Sequence, residues 1–554
     1  MSEKALFPRK ASGLVRELGL GTAVILAIFN VVGLGWQKRV FQAAGAAPVP
    51  KAEWLLGIHP LVMAFFLVGV LVLLSLYTFT VLSAAIPRSG GGYLFLTRIL
   101  GTRFGFVASW MEFFSIAVSY GLMVVATFEA VLIFGGLAGV DISTADTPLI
   151  MTLIGVIVIV IFSGLASFGA RMTGRILQIM FWAPAAIMVL GFILFLVANP
   201  TTMEAGVLAI SGGHHSVEYT QAAVLQGMKS AGYWNGVFTA MFFAYWAYIG
   251  YAAISFVAGE VKEAHSNMPR VVFISGILVM ITYMAISILL TRAGGMIGQY
   301  KGWSFIDAVA YFSHGGGSFL GANLPSIGAW MSVFAGIQAF GISLITGRIM
   351  GWLLVIFGLF WVVNDIPPFI LTCSRMIFAM GFDRVLPEKL ADVNEKWHSP
   401  VNAIIATSVA ALLGIVSEAG LFAKASSAGK ILNSAGAVTA TDFWDIIFFT
   451  GVAVACAIFP TRLPEVFEQS PFKHRKTEIQ VVGWLAAAGN IFLGALLIFH
   501  KNAFGFGPGN WGSPNFWITV FLILIGLGFY AVGRGRARRA KADSSATFTE
   551  TPPE

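Results

Sequence analysis

The chain alternates between long apolar runs and short polar stretches rich in glycine, proline and basic residues. A transmembrane helix needs roughly 20 mostly apolar residues to cross a hydrocarbon layer about 30 Å thick. Twelve runs meet that requirement: 18–41, 60–86, 104–138, 147–168, 175–198, 234–258, 270–291, 351–379, 400–417, 443–461, 479–499 and 514–533. Backbone groups in lipid must bond internally, so each run is predicted as a helix. The alternative, a barrel, would show short alternating segments, and none is visible. The pattern therefore predicts an all-α integral membrane protein with about twelve transmembrane helices.

Composition agrees. Of 554 residues, 57% are hydrophobic and only 11% are charged, against about a quarter charged in soluble proteins. A net charge of +8 raises nucleic acid as a partner, but the placement of the cations argues for topology instead. With the N-terminus inside, 24 of the 34 Lys and Arg fall in inner segments, which is the bias that orients membrane proteins. This places both termini in the cytoplasm and the protein in the plasma membrane. The opening residues are polar and basic, and the first apolar run lacks a cleavage site, so it is expected to stay as a span. A further apolar stretch, 327–346, would reverse the charge bias if it crossed. It is assigned instead to a long outer loop, 292–350, in which FIDAVAYF reads as a short amphipathic helix. Cys373 and Cys456 lie in apolar runs without metal-ligand spacing and read as inert thiols. His214 and His215 lie in a polar outer loop, and no paired catalytic set or phosphate-cradling loop is present, so neither an enzyme nor an ATP-driven pump is expected.

Three spans carry helix breakers near their middles. A half-helix end in the membrane bares main-chain N–H and C=O groups that hold charged parts of a substrate. The first span has Gly33 and Gly35, which read either as an unwound segment or as sites of close helix packing. The sixth has Gly250 among Phe243, Tyr245, Trp246, Tyr248 and Tyr251, which read as a break with an aromatic gate or as core aromatics. In the eighth, Pro367 and Pro368 remove two amide donors beside Asp365. That carboxyl reads as a cation or proton site or as the cap of the helix that restarts at the prolines.

Four ordered segments resemble the amino acid–polyamine–organocation family of permeases. They are PRSGGGYLFLTRILGTRFGFVASW (Pro87–Trp110), AYIGYAAISFVAGEVKEAHSNMPR (Ala247–Arg270), SRMIFAMGFDRVLPEKLADVNEKWHSPVNAI (Ser374–Ile404) and FPTRLPEVF (Phe459–Phe467). The resemblance covers roughly residues 15–470 and implies a five-plus-five inverted-repeat transporter fold with broken helices 1 and 6. The corresponding organisation is a cytoplasmic segment 1–17, a first repeat 18–198, an outer loop 199–233, a second repeat 234–461, helices 11 and 12 within 462–533, and a disordered tail 534–554. It further implies that a substrate carboxylate meets amides of the first break at Gly33, Leu34 and Gly35. The amine would meet carbonyls from Asn30 to Val32 and from Phe243 to Tyr248. Trp36, Gln37, Lys38 and Arg39 depart from the family pattern, and two cations there either draw in anionic substrate or sit at lipid headgroups.

No cofactor is expected, and the partners are a small-molecule amino acid and the bilayer. Polyamines, other carboxylates and inorganic cations are the alternative cargo. For coupling, the fifth span holds no Lys or Arg between 176 and 198, so a lysine ammonium in place of a sodium ion is not expected. Proton coupling through Asp365, Glu112 or Glu129 is favoured over a sodium site at Thr372 and Ser374. Exchange without an ion stays open.

Overall fold

The computed structural model describes residues 12–33, 40, 43, 48–137, 148–211, 213–313, 316–317, 360–361, 363–421, 434–500 and 514–539. Ten of its helices are long and apolar enough to cross a membrane. Regular strands are absent among the described residues, which carry only isolated bridges.

The helices follow the chain as α1 (Leu20–Phe29), α2 (Pro60–Ala85), α3 (Gly92–Ile99), α4 (Thr102–Leu137), α5 (Pro148–Ala166) and α6 (Ala170–Val197). Next come α7 (Pro200–Ile210), α8 (Ser216–Leu225), α9 (Tyr233–Tyr248), α10 (Ala264–Gly295) and α11 (Phe305–Ser313). The remainder are α12 (Ile366–Phe382), α13 (Val401–Glu418), α14 (Ser434–Arg462), α15 (Pro464–Gln469), α16 (Lys476–Phe499) and α17 (Pro514–Arg539). Local chemistry sets several of these ends. Pro60 opens α2 behind His59, whose Nδ1 accepts from the Leu61 amide at 3.0 Å. Asn199 and Thr202 form a reciprocal cap on α7, again with proline at its first position.

The helices sort by burial. Of the apolar window of α4, 89% is buried, against 22% for α5 and 18% for α6. α4 is thus the central column, while α5 and α6 turn most of their apolar surface outward, as lipid-facing helices must. α4 also packs hard against α13. A Cβ on Gly121 would strike the Ala411 carbonyl, and one on Gly414 would strike the Val118 carbonyl. Paired glycines let two backbones touch, a packing device that membranes favour because lipid supplies no hydrophobic drive between helices.

Several expectations are refined. The stretch 199–233 carries α7 and α8, which are too short for a span criterion to find. FIDAVAYF does form a short helix, α11. The segment assigned to a disordered tail begins as helix, since α17 runs on to Arg539. The run 327–346 lies outside the described residues, as do Leu34, Gly35 and Trp36 to Arg39.

Around the segment ahead of α1, main chain and ion pairs tie the bundle together. The amides of Glu17 and Leu18 donate to the Glu260 carbonyl at 3.0 and 2.9 Å. Arg375 grips the Glu260 carboxylate through Nε at 2.7 Å and Nη2 at 2.9 Å, with both side chains almost fully buried. Arg98 makes a second forked pair with Asp383, one arm at 2.8 Å. Removing one partner of a buried pair strands the other charge, which costs about 3–5 kcal/mol. Arg375→Gln is therefore expected to lower the thermal-unfolding midpoint of the purified protein sharply, more than Arg475→Gln, whose pair with Glu478 is exposed. Equal midpoints for the two variants would contradict this.

Candidate functional site

Two helices stop where the sequence places glycine. α9 ends at Tyr248, Gly250 takes φ +97°, and the chain resumes as a 3-10 segment over Ala253–Glu260. Such a φ is costly for any residue with a Cβ. α1 ends at Phe29, and the amides of Val31 and Val32 turn back to the Ile28 carbonyl at 3.0 and 2.8 Å. The two ends meet: Asn30 Nδ2 donates to the Gly250 carbonyl at 3.1 Å, and a Cβ on Gly250 would land on the Asn30 main-chain oxygen. Tyr283 on α10 pins the turn by donating to the Val31 carbonyl at 2.8 Å.

The third break joins them. Asn364 and Asp365 form a turn just ahead of α12, and the Asp365 carboxyl lies so close to Gly33 that a Cβ there would overlap it. Asp365 occupies the cap position of α12 yet makes no capping hydrogen bond with its side chain. Asn30, Val31, Trp246, Ala247, Asp365 and Phe369 border a cavity of about 10 Å³, closed further by Ser119 and Met123 of α4. That is room for about one water molecule, so a larger solute enters only when these helices part. The junction around the cavity is polar in part. Among the described residues, the Gly33 amide and the carbonyls of Ala247 and Tyr248 receive no main-chain partner. Asn30 Oδ1 and Ser119 Oγ are buried without a hydrogen bond.

The sequence-based candidates divide accordingly. Asn30, Gly33, Trp246, Gly250 and Asp365 come together at this junction. Val32 is buried, but its amide is spent on Ile28. The aromatic side chains turn in different directions. Tyr248 donates to the Phe65 carbonyl at 3.3 Å and packs on Tyr283, with ring centroids 4.8 Å apart. Phe243 is half-buried and does not line the cavity. Thr372 and Ser374 lie further along α12, outside the cavity lining. Thr372 Oγ1 has no hydrogen bond, whereas Ser374 Oγ accepts from Arg375 at 3.1 Å.

Tyr245 points elsewhere, and it marks a residue that the sequence reading missed. Its hydroxyl donates to Asp445 of α14, and α4 packs on α14 beside it, Ser115 Oγ donating to the Thr441 carbonyl at 3.0 Å, which makes Glu112 an electrostatic neighbour of the same Asp445. All three are at least 97% buried, and no Lys, Arg or His pairs with either acid among the described residues. Glu112 sits seven residues before Ser119, about 10 Å down α4 at 1.5 Å per residue. Asp445 carries the signal that singled out Asp365, an acid inside an apolar run.

Long apolar helices packed around interrupted ones, with bare main-chain groups at the junction, define a multispan membrane transporter of small molecules rather than an enzyme. The chain belongs to the amino acid permease family, whose model matches residues 18–527. It is 21% identical over 434 residues to the large neutral amino acids transporter small subunit 2 of Oryctolagus cuniculus, covering 75% of this chain and 68% of that one. It is 23% identical over 422 residues to the methylthioribose transporter of Bacillus subtilis (strain 168), covering 73% and 77%. To the human Asc-type amino acid transporter 1 it is 24% identical over 411 residues, covering 72% and 66%.

Proposed function

We propose that this permease is a secondary transporter that moves an amino acid across the plasma membrane by alternating access, with both termini cytoplasmic. The observation that carries the reading is the junction of Asn30, Gly33 and Gly250 with Asp365. In this reading α1 and α12 supply the two short spans that bring the total to twelve, and spans 1–5 and 6–10 form the inverted repeats. The Gly33 amide receives the carboxylate, with Leu34 and Gly35 as the further residues proposed to contact it. The carbonyls of Ala247 and Tyr248 receive the ammonium group, and Asn30 and Trp246 shape the rest. A zwitterion fits because it presents both charges to uncharged groups of opposite polarity. Two of the similar proteins are named as amino acid transporters, which supports this cargo. The driving ion is a proton, carried by the Glu112–Asp445 pair.

A thermal-shift screen of the purified protein tests the cargo. A ligand that binds only the folded state stabilises it by about 2.7 kcal/mol at a hundred times its Kd. An α-amino acid is expected to raise the unfolding midpoint, and the same compound without its carboxylate is not. A shift with polyamines or with methylthioribose, and none with any amino acid, would refute the reading.

A further inference from the structure

We propose that a basic cavity at the cytoplasmic end of α5 and α6, away from the transport junction, holds the phosphate headgroup of an anionic phospholipid. The cavity measures about 520 Å³ and lies between the α5–α6 turn, the loop before α13 and the segment ahead of α1. Arg171, Arg175 and Lys396 line it, with Glu17 as its one acid. Glu17 does not neutralise them. Its nearest approach to the exposed Arg171 is 4.0 Å, and among the described residues neither Arg175 nor Lys396 has an acidic partner. Lys396 instead lies over the Trp397 ring at 4.9 Å.

The frame around these cations is built. Ser399 Oγ donates to the Ala166 carbonyl at 3.3 Å, and His398 Nδ1 lies 3.2 Å from the Gly13 carbonyl. Phe168 meets Trp397 edge to face at 4.8 Å. Gly169, with φ +93°, lets the turn approach the Trp397 carbonyl where no Cβ fits. The cations are therefore held around one space by two loops locked together.

The setting selects a lipid over a soluble anion. α5 and α6 are the most outward-facing of the long helices, tied only by α17. Phe168 and Met172 at the cavity edge are 44% and 42% exposed, and Ile179, one turn beyond Arg175 on the same face of α6, is 80% exposed. A phosphodiester in the cavity thus continues directly into acyl chains along an apolar flank. A free phosphate would use the cations and leave that flank bare. Each surface cation adds about 1 kcal/mol, roughly a fivefold preference, for anionic over zwitterionic lipid.

The test uses the full-length protein in neutral detergent, titrated with phosphatidylglycerol, phosphatidylcholine of the same chains, or inorganic phosphate. Unfolding midpoint and lipid retained in native mass spectrometry are read together. Phosphatidylglycerol is expected to raise the midpoint and to stay bound, and phosphatidylcholine and phosphate are not. The combined variant Arg171→Gln, Arg175→Gln, Lys396→Gln should lose at least about tenfold in apparent affinity. A variant at the far basic end, Arg536→Gln with Arg539→Gln, should keep the wild-type response. Should the triple variant not fold, Lys396→Gln alone, on an exposed loop, must still weaken the response several-fold. The proposal is overturned if the cavity variants respond like wild type, if phosphatidylcholine is equivalent, or if phosphate reproduces the shift.

Discussion

Gly250→Ala and Gly33→Ala are each expected to reduce amino acid uptake by proteoliposomes at least tenfold while the purified protein stays monodisperse. The two substitutions act by different routes on one junction. At Gly250 the backbone sits at φ +97°, where a Cβ costs about 1–2 kcal/mol, and the new methyl would also displace the Asn30 carbonyl. At Gly33 the methyl would enter the space of the Asp365 carboxyl. Each therefore pushes apart groups that must lie together around a cavity with room for about one water, about 10 Å³. Gly164→Ala is the control. Its Cβ meets nothing within 4 Å, and alanine in a helix is favoured over glycine by up to about 1 kcal/mol. Wild-type uptake by both junction variants would show that the breaks serve packing alone.

The same positions show what a sequence reveals in a membrane protein and what it withholds. Lipid imposes a length on each helix, so α2 and α16 begin and end within a few residues of the runs predicted from hydropathy. It also makes a mid-span Gly250 or Pro367-Pro368 conspicuous, and the chain does break at both. Contacts between helices are another matter. Nothing in the spacing of Glu112 and Asp445, 333 positions apart, says that they meet, because helix rotation is settled by packing such as the Gly121–Gly414 contact. Nor did the aromatic cluster announce that Tyr245 and Tyr248 turn to α14 and α2 and leave Trp246 at the cavity. The short helices α7 and α8 were hidden for a different reason: too short to span, they carry no hydropathy signal, and only caps such as Asn199-Pro200 mark them.

The pairing of Glu112 with Asp445 leads to the second large effect. Glu112→Gln and Asp445→Asn are each expected to abolish accumulation driven by an imposed pH gradient, acid outside, while exchange of labelled for unlabelled substrate persists. Two carboxylates side by side repel by about 4 kcal/mol at 4 Å with an effective dielectric constant of 20. In the proposed coupling the pair shares one proton when no cation is nearby, and the Tyr245 hydroxyl, which donates to Asp445, would steady the charge that remains. Among the described residues Tyr251 and Cys373 also lie near this pair, and Asp442 lies near Tyr245. α4 carries Glu112, and the same helix carries Ser119 and Met123 to the cavity wall. A change in how α4 packs on α14 thus alters both the proton pair and the space for substrate, which is the physical link that coupling requires. The amides fix the pair in its protonated form, so uptake by these variants should no longer rise as external pH falls. Tyr245→Phe should keep proton-driven uptake but shift its pH profile, since it removes a donor to Asp445 and leaves both acids in place. Gradient-driven accumulation by Glu112→Gln at the wild-type level would assign the coupling to another group, with Asp365 beside Gly33 the next to test.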